Sequence, residues 1–181
     1  MKLNGKSIIT KLVQPVAFVF IGAFSRLIPH PANFAPIAAM AIFGGVYLGR
    51  KQALTIPLAA MILSDLFLGF DSVAMRLSVY GSFLLTVFIG FWLKKHKNYK
   101  YIILASLASS LLFFLITNFT VWAVTNMYPK SLSGLIESYF YAIPFFRNTV
   151  LGDLTYSGVF FGGYELVKKL ILKTSPLWVW R

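Results

Sequence analysis

Residues 100–126, KYIILASLASSLLFFLITNFTVWAVTN, decide the fold class of this chain. After Lys100 the stretch contains no charged side chain. A helix of roughly 20 mostly apolar residues is long enough to cross the hydrocarbon core of a bilayer, which is about 30 Å thick. We therefore expect residues 100–126 to form a membrane-spanning helix.

The remainder of the chain repeats this pattern. Of its 181 residues 58% are hydrophobic and only 12% are charged, which is about half the charged share of a soluble domain. A soluble domain of this composition would expose much of its apolar surface and aggregate. The pattern predicts one all-α transmembrane domain over residues 1–181, a six-helix bundle with spans at about 8–28, 34–49, 52–70, 73–93, 100–126 and 147–172.

Lysine and arginine divide unequally between the predicted loops. If the N-terminus is inside, 13 of the 17 basic residues lie on the inner side, Lys2, Lys97 and Arg181 among them. The positive-inside rule then predicts a multi-pass protein with cytoplasmic N- and C-termini. The net charge of +12 is thereby explained by topology and contact with anionic membrane lipid, and we expect no nucleic-acid partner.

The longest predicted connection, residues 127–146, joins the fifth and sixth spans. Its aromatic content argues against disorder, and loops of this length usually have a function. We expect a short helix within it, over about 134–141, on the outer surface.

Catalysis has little support in the sequence. The chain has no cysteine, and its two histidines, His30 and His96, are predicted to lie on opposite sides of the membrane. That arrangement disfavours a transition-metal site and a serine–histidine catalytic pair. The sequence also lacks an ATP-binding Walker A motif. We expect neither an enzyme nor a bound cofactor.

Ionisable residues inside the spans are costly and are therefore candidates for function. Asp65 lies near the outer end of the third span, and Asp153 lies about two turns into the sixth. Arg147 and Asn148 are the first two residues of that sixth span. Arg147 and Asp153 would stand about 240° apart on a regular helix. Unless Arg147 bends back to Asp153 as a structural ion pair, Asp65 is its natural partner.

Asn118 and Trp122, four residues apart in the fifth span, share one helix face. With the charged residues above they map to the outer half of the membrane, where converging polar groups would form a solute pocket open to the outside. The alternative is structural, because a residue such as Asn118 also forms hydrogen bonds between helices of a bundle.

Small residues recur every four positions in two spans. Ala41, Gly45 and Gly49 lie in the second span, and Gly158 and Gly162 lie in the sixth. This spacing allows helix backbones to approach closely, which predicts either packing inside the bundle or a docking surface for a partner.

Several motifs together resemble an uncharacterised bacterial family of candidate transport proteins. They are PHPANFAPI at 29–37, AIFGG at 41–45, SD at 64–65, NF at 118–119 and PFFRNTVLGDL at 144–154. More loosely, the layout is similar to the substrate-binding S component of energy-coupling factor transporters. Those proteins have six helices with both ends inside, bind vitamins or similar micronutrients from outside, and associate with a transmembrane coupling subunit and two ATPases.

The resemblance implies a protein of the bacterial inner membrane and an S-component-like bundle. Together with the polar residues of the spans, it predicts a substrate-binding set of Asn33, Asp65, Asn118, Trp122, Arg147, Asn148, Asp153 and Tyr156. The expected function is binding and uptake of a small solute, with ATP-driven coupling subunits as partners. Two alternatives stay open: a stand-alone carrier that uses Asp65 or Asp153 as a proton or sodium relay, and a non-transporting membrane scaffold.

Overall fold

The computed structural model describes the backbone of residues 5–96 and 98–174 and the side chains of 16–96 and 98–170. Lys2, Lys97 and Arg181, three of the predicted inside residues, lie outside the described residues. The described chain is all-helical. Its seven helices are α1 (Gly5–Leu27), α2 (Ile37–Tyr47), α3 (Arg50–Leu68), α4 (Val73–Leu93), α5 (Tyr99–Val124), α6 (Leu132–Phe140) and α7 (Ile143–Thr174).

Three helices, α3, α4 and α5, are long and apolar enough to cross a membrane. The all-helical prediction is confirmed for the described residues, and these three helices, by length and composition, are consistent with the predicted association with a membrane. Residues 16–27 of α1 and the whole of α2 are apolar but shorter. Large apolar side chains point outward along α4, where Val73, Leu77 and Phe88 are more than half exposed. Such a surface is unfavourable in water and is consistent with association with a membrane.

Helix α2 is shorter than the predicted span at 34–49. It has 11 residues, about 16 Å at 1.5 Å per residue. Pro36 precedes its first turn, and Leu48 adopts an extended conformation and ends it. The flanking residues are as apolar as the helix, so composition alone did not reveal where the helix ends.

Helix α2 also forms the centre of the bundle, in contact with α1, α3, α4, α5 and α7. Every residue from Ile37 to Val46 is buried. The closest approach is to α4, because a Cβ atom on Gly45 would lie 2.7 Å from the Cα atom of Gly90. Ala41 packs beside this contact, against Ala53 and Val87. Only small residues permit two helix backbones to approach so closely.

The connections divide between the two ends of the bundle. Residues 28–36, 69–72 and 125–142 lie at one end, which we name the α6 end, and residues 48–49, 94–96 and 98 lie at the opposite end. Helix α6 lies between α5 and α7, where the sequence predicts a short helix. The Ser131 hydroxyl accepts a hydrogen bond from Gly134 N at 3.2 Å and caps it. A Cβ atom on Gly134 would lie 2.0 Å from the Pro129 carbonyl oxygen, so the approach of this loop requires glycine.

Candidate functional site

A cavity of about 490 Å³ opens at the α6 end of the bundle. The last turns of α1 and α3, the start of α2, and parts of α4, α5 and α7 surround it. The exposed residues His30, Asn33, Gly69 and Asp71 form its rim. This volume falls within the range of small-molecule binding sites in proteins.

Asp65 lies in the wall of this cavity within a cluster that satisfies both of its carboxylate oxygens. Arg26 Nη1 donates a hydrogen bond to Oδ1 at 2.6 Å, and the Tyr80 hydroxyl donates to Oδ2 at 2.5 Å. Arg26 also contacts the Ser64 hydroxyl and donates to the Met61 carbonyl oxygen at 3.3 Å. Because α1 and α3 pack along each other and both end here, Arg26 and Asp65 meet in their last turns.

Asp153 lies deeper in the same cavity, on α7. It is 2% exposed, and its Oδ2 atom accepts a hydrogen bond from the Ser110 hydroxyl of α5 at 2.7 Å. Among the described residues, Asp153 forms no ion pair with a lysine, arginine or histidine. A buried carboxylate with a hydroxyl as its one protein partner differs from the neutralised carboxylate of Asp65.

Buried hydroxyl groups join α5 to its two neighbours below this carboxylate. Ser106 donates to Ser157 of α7 at 2.8 Å, and Ser109 shares a hydrogen bond with Thr86 of α4 at 3.0 Å. With Ser110 these serines follow the spacing i, i+3 and i+4, which places them on one side of α5. These hydrogen bonds fix the rotation of α5 about its own axis relative to α4 and α7. That rotation directs Ser110 toward Asp153.

Three members of the predicted substrate-binding set line the main cavity: Asn33, Asp65 and Asp153. Asn33 has a left-handed backbone conformation with φ of 64°, which asparagine tolerates better than most residues. It lies in a turn closed by a hydrogen bond from Phe34 N to the Pro31 carbonyl oxygen at 3.0 Å. This turn holds Asn33 at the rim.

Asn118 lies beside the main cavity rather than in it. It lines a smaller space of about 80 Å³ that shares Asn33, Phe113 and Thr149 with the larger one. Its Nδ2 atom donates to the Phe114 carbonyl oxygen, one turn earlier in α5, at 2.8 Å. Its amide is thus engaged within its own helix.

The other four members of the set line neither of these two spaces. Trp122 Nε1 donates to the Pro129 carbonyl oxygen at 3.0 Å, which ties the end of α5 to the loop before α6. The Tyr156 ring packs on Phe34, with 5.5 Å between ring centroids. Arg147 is exposed and Asn148 is half-buried on the first turns of α7.

The suggested pairing of Arg147 with Asp65 or Asp153 is wrong. Arg26 forms the ion pair with Asp65, and the Ser110 hydroxyl donates a hydrogen bond to Asp153. Helix α7 already begins at Ile143, so Arg147 lies inside a regular helix and cannot bend back to Asp153. Helix α7 packs on α2 and α5, whereas α3 packs on α1, α2 and α4. Arg147 is therefore on the wrong helix to reach Asp65.

The predicted small-residue positions lie in different surroundings. Gly45 and Ala41 lie inside the bundle, as described above, whereas Gly49 precedes α3, and a Cβ atom built on it would meet only Gln52 Oε1, at 4.0 Å. Cβ atoms built on Gly158 and Gly162 would meet nothing within 4 Å. Both glycines are exposed on α7, and Gly162 lines the second cavity described next.

A second cavity, of about 340 Å³, lies at the opposite end of the bundle between α2, α5 and α7. Its lining is mostly apolar, and the one carboxylate among its lining residues, Glu165, is half exposed and lies 3.8 Å from Lys168. Within the described ranges, no group of three histidine, cysteine or acidic residues could hold a metal ion. The polar cavity at the α6 end is thus the stronger candidate for solute binding.

Sequence reasoning missed two residues that line this cavity, Arg26 and Tyr80, and also Ser110, which bonds Asp153. Arg26 was considered only as a basic residue outside the membrane, although a charge in the last turn of a span also faces neighbouring helices. The serine spacing at 106, 109 and 110 was a usable signal for a polar face on α5. Nothing in the local sequence distinguishes Tyr80 from the other tyrosines.

The comparisons with known proteins give a family but no activity. No curated protein and no solved structure matches the chain. A family model described as a family of unknown function, DUF6580, matches residues 6–175, which is nearly the whole sequence. This protein therefore belongs to the family of unknown function DUF6580.

Proposed function

We propose that this protein binds a small solute in the cavity at the α6 end and takes part in its uptake across the cell membrane. The observation that carries the proposal is a cavity of about 490 Å³ with an exposed rim and a buried carboxylate, Asp153, that has no cationic partner among the described residues. A buried ionisable group facing a cavity within a membrane bundle is typical of a substrate or ion site.

In the proposed topology the protein crosses a bacterial inner membrane six times, through α1 to α5 and α7. The α6 end faces outward and both termini lie in the cytoplasm. The uneven distribution of 13 and 4 basic residues supports this orientation. Reporter fusions should place residue 96 and the C-terminus inside and residue 135 outside. Termini on opposite sides, or both outside, would contradict the topology.

The proposed mode of action is that of an S component: capture from outside, closure of the loops at the α6 end, and release inside. A separate transmembrane coupling subunit and ATPases would supply the energy, since the sequence has no Walker A motif. Co-elution of ATPase subunits with the tagged protein, purified in mild detergent from its own host, tests this. Isolation of the protein alone, together with uptake that persists without ATP, would contradict it.

The unneutralised Asp153 favours a second candidate, a stand-alone ion-coupled carrier. Asp65, the other relay considered from the sequence, is already paired with Arg26 and is less suited to exchange a proton or sodium ion. A carrier should drive uptake in proteoliposomes that contain only this chain when a proton or sodium gradient is imposed. An S component reconstituted alone should not respond to either gradient.

Native mass spectrometry of the protein from its own host tests the binding function itself. We expect a small molecule retained in a one-to-one complex and lost on denaturation. A matched preparation of the Asp153→Asn variant should carry less of it. A protein that retains no molecule and supports no uptake would instead fit the non-transporting scaffold.

A further inference from the structure

The charged side chains that line the cavity do not balance. Three are aspartates, Asp65, Asp71 and Asp153, and two are arginines, Arg26 and Arg76. Arg26 is bonded to Asp65. Arg76 lies at the rim beside Asp71, with its Nε atom donating to the Asp71 main-chain oxygen at 3.0 Å. The Asp71 carboxylate is exposed to solvent, so Asp153 is the one buried carboxylate of the cavity without an ion pair among the described residues.

Asp153 presents one carboxylate oxygen to the cavity. Ser110 donates to Oδ2, and no described residue donates to Oδ1. Every side-chain nitrogen or oxygen sealed inside the described protein has a hydrogen-bond partner, so Oδ1 must reach the cavity space. A buried carboxylate without a counter-charge is strongly unfavourable. A cation in the cavity would remove that penalty.

Part of the cavity wall is aromatic and apolar. Phe83 of α4 and Phe113 of α5 both line it, with stacked rings whose centroids lie 5.4 Å apart. Phe113 is three residues from Ser110, on the same side of α5, and Ile37 and Val79 extend the apolar surface. Aromatic rings attract organic cations and bury the carbon skeleton that such a cation carries.

The same lining is poorly suited to a bare metal ion. Hard cations such as Ca²⁺ take six or more oxygen ligands. No cluster of three histidine, cysteine or acidic residues able to hold a metal occurs in the described chain. One exposed carboxylate oxygen beside apolar walls matches instead an ammonium group on an apolar body.

We propose that the solute is a small organic cation, whose protonated amine binds Asp153 and whose apolar body packs against Phe83 and Phe113. This inference rests on the proposed function, because it requires the cavity to be the solute site. It adds the charge and the chemical class of the solute.

The test compares three probes that share a phenyl-alkyl body: 2-phenylethylamine, which is a cation at neutral pH, 2-phenylethanol, which is neutral, and 3-phenylpropionate, which is an anion. Their binding to the full-length protein in lipid nanodiscs is measured by isothermal titration calorimetry. We expect the amine to bind at least about tenfold more tightly than the alcohol, a difference of about 1.4 kcal/mol, and the anion to bind most weakly.

Two matched variants assign that preference to one carboxylate. Asp153→Asn keeps an oxygen that can accept from Ser110 but loses the charge, so the amine and the alcohol should bind equally. Asp71→Asn makes the same change at the exposed rim and leaves the main-chain contact to Arg76 intact, so the preference should remain. Ser110→Ala retains the carboxylate and should retain the preference as well.

Three results would overturn the inference: equal or tighter binding of the alcohol or the anion by the unaltered protein, equal losses in Asp153→Asn and Asp71→Asn, or no binding of any probe. If Asp153→Asn does not fold, the inference is tested by the ratio of amine to alcohol affinity, measured in the unaltered protein and in Ser110→Ala. Native mass spectrometry distinguishes failure of this inference from failure of the proposed function. A retained neutral or anionic solute contradicts only this inference, whereas no retained solute contradicts the proposed function.

Discussion

Two aspartates line the same cavity, and the protein surrounds them differently. Asp65 is 7% exposed and Asp153 is 2% exposed, so both are largely removed from water. Asp65 has a guanidinium on one oxygen and a phenol on the other. Within the described ranges, Asp153 has only the hydroxyl of Ser110. The more deeply buried carboxylate, that of Asp153, thus has fewer hydrogen-bond partners than that of Asp65. This is the reverse of what the stability of the protein alone would favour.

The difference separates a structural role from a binding role. The bonds to Asp65 join the last turns of α1 and α3 to Tyr80 of α4, so they hold three helices together at the mouth of the cavity. Asp153 joins α7 to α5 by one hydrogen bond and keeps an oxygen free. We expect changes around Asp65 to reduce the free energy of unfolding, and changes at Asp153 to reduce solute binding.

The largest effect on stability should follow Arg26→Met. Methionine retains the apolar stem but leaves Asp65 without a cation, and breaking a buried ion pair typically costs several kcal/mol. The Arg26 side chain is 20% exposed and Tyr80 still donates, so we expect a loss of about 2–3 kcal/mol. Unfolding in mixed micelles, followed by far-UV circular dichroism, gives the value.

Two further variants control this measurement. The double variant Arg26→Met with Asp65→Asn removes both charges and should be more stable than the sum of the single changes predicts. Arg76→Met removes an arginine at the rim whose Nε atom bonds a main-chain oxygen, and it should cost less than about 1 kcal/mol. Equal losses in Arg26→Met and Arg76→Met would refute a structural role for the Asp65 cluster.

A smaller loss should follow Tyr80→Phe, which removes the hydroxyl bonded to Asp65 at 2.5 Å and leaves Arg26 in place. Loss of one hydrogen bond to a charged, partly buried acceptor typically costs about 1–2 kcal/mol. Tyr101→Phe is the control, because Tyr101 is 40% exposed and its stability contribution should be close to zero. A neutral result for Tyr80→Phe would mean that cavity water replaces the phenol.

The long helices could be predicted from the sequence because the signal is local. The predicted spans at 52–70, 73–93 and 100–126 correspond to α3, α4 and α5 within two residues. Charged residues mark at least one end of each apolar run: Arg50 and Lys51 for α3, Lys94 and Lys95 for α4, and Lys100 for α5. Helix α2 lacks such a boundary on its N-terminal side, where Phe34, Ala35 and Pro36 are also apolar. Its central position follows from packing between distant parts of the chain.

The site could be predicted only in part, for a related reason. Asp65 and Asp153 stand out because ionisable residues inside apolar runs are rare. Their partners depend on which helices become neighbours, and the sequence does not encode that locally. Arg26 reaches Asp65 because α1 packs beside α3, whereas Arg147, which is equally basic and at the same end of the bundle, lies on the exposed side of α7.

The smallest effect on stability should follow Asp153→Asn, although the same change should have the largest effect on binding. Asparagine nearly matches aspartate in size, and its side-chain oxygen can accept the hydrogen bond from Ser110, so the contact between α5 and α7 should persist. The change also removes a buried charge that has no cationic partner in the part of the chain that the structure describes, and removing such a charge is usually neutral or stabilising. Without solute, the free energy of unfolding should therefore stay within about 1 kcal/mol of the unaltered protein, or rise, whereas Asp65→Asn should lower it. Side-by-side unfolding of the two variants measures this contrast. If Asp153→Asn unfolds as readily as Asp65→Asn and still binds solute normally, Asp153 is a structural counter-ion and the two carboxylates do not differ in role.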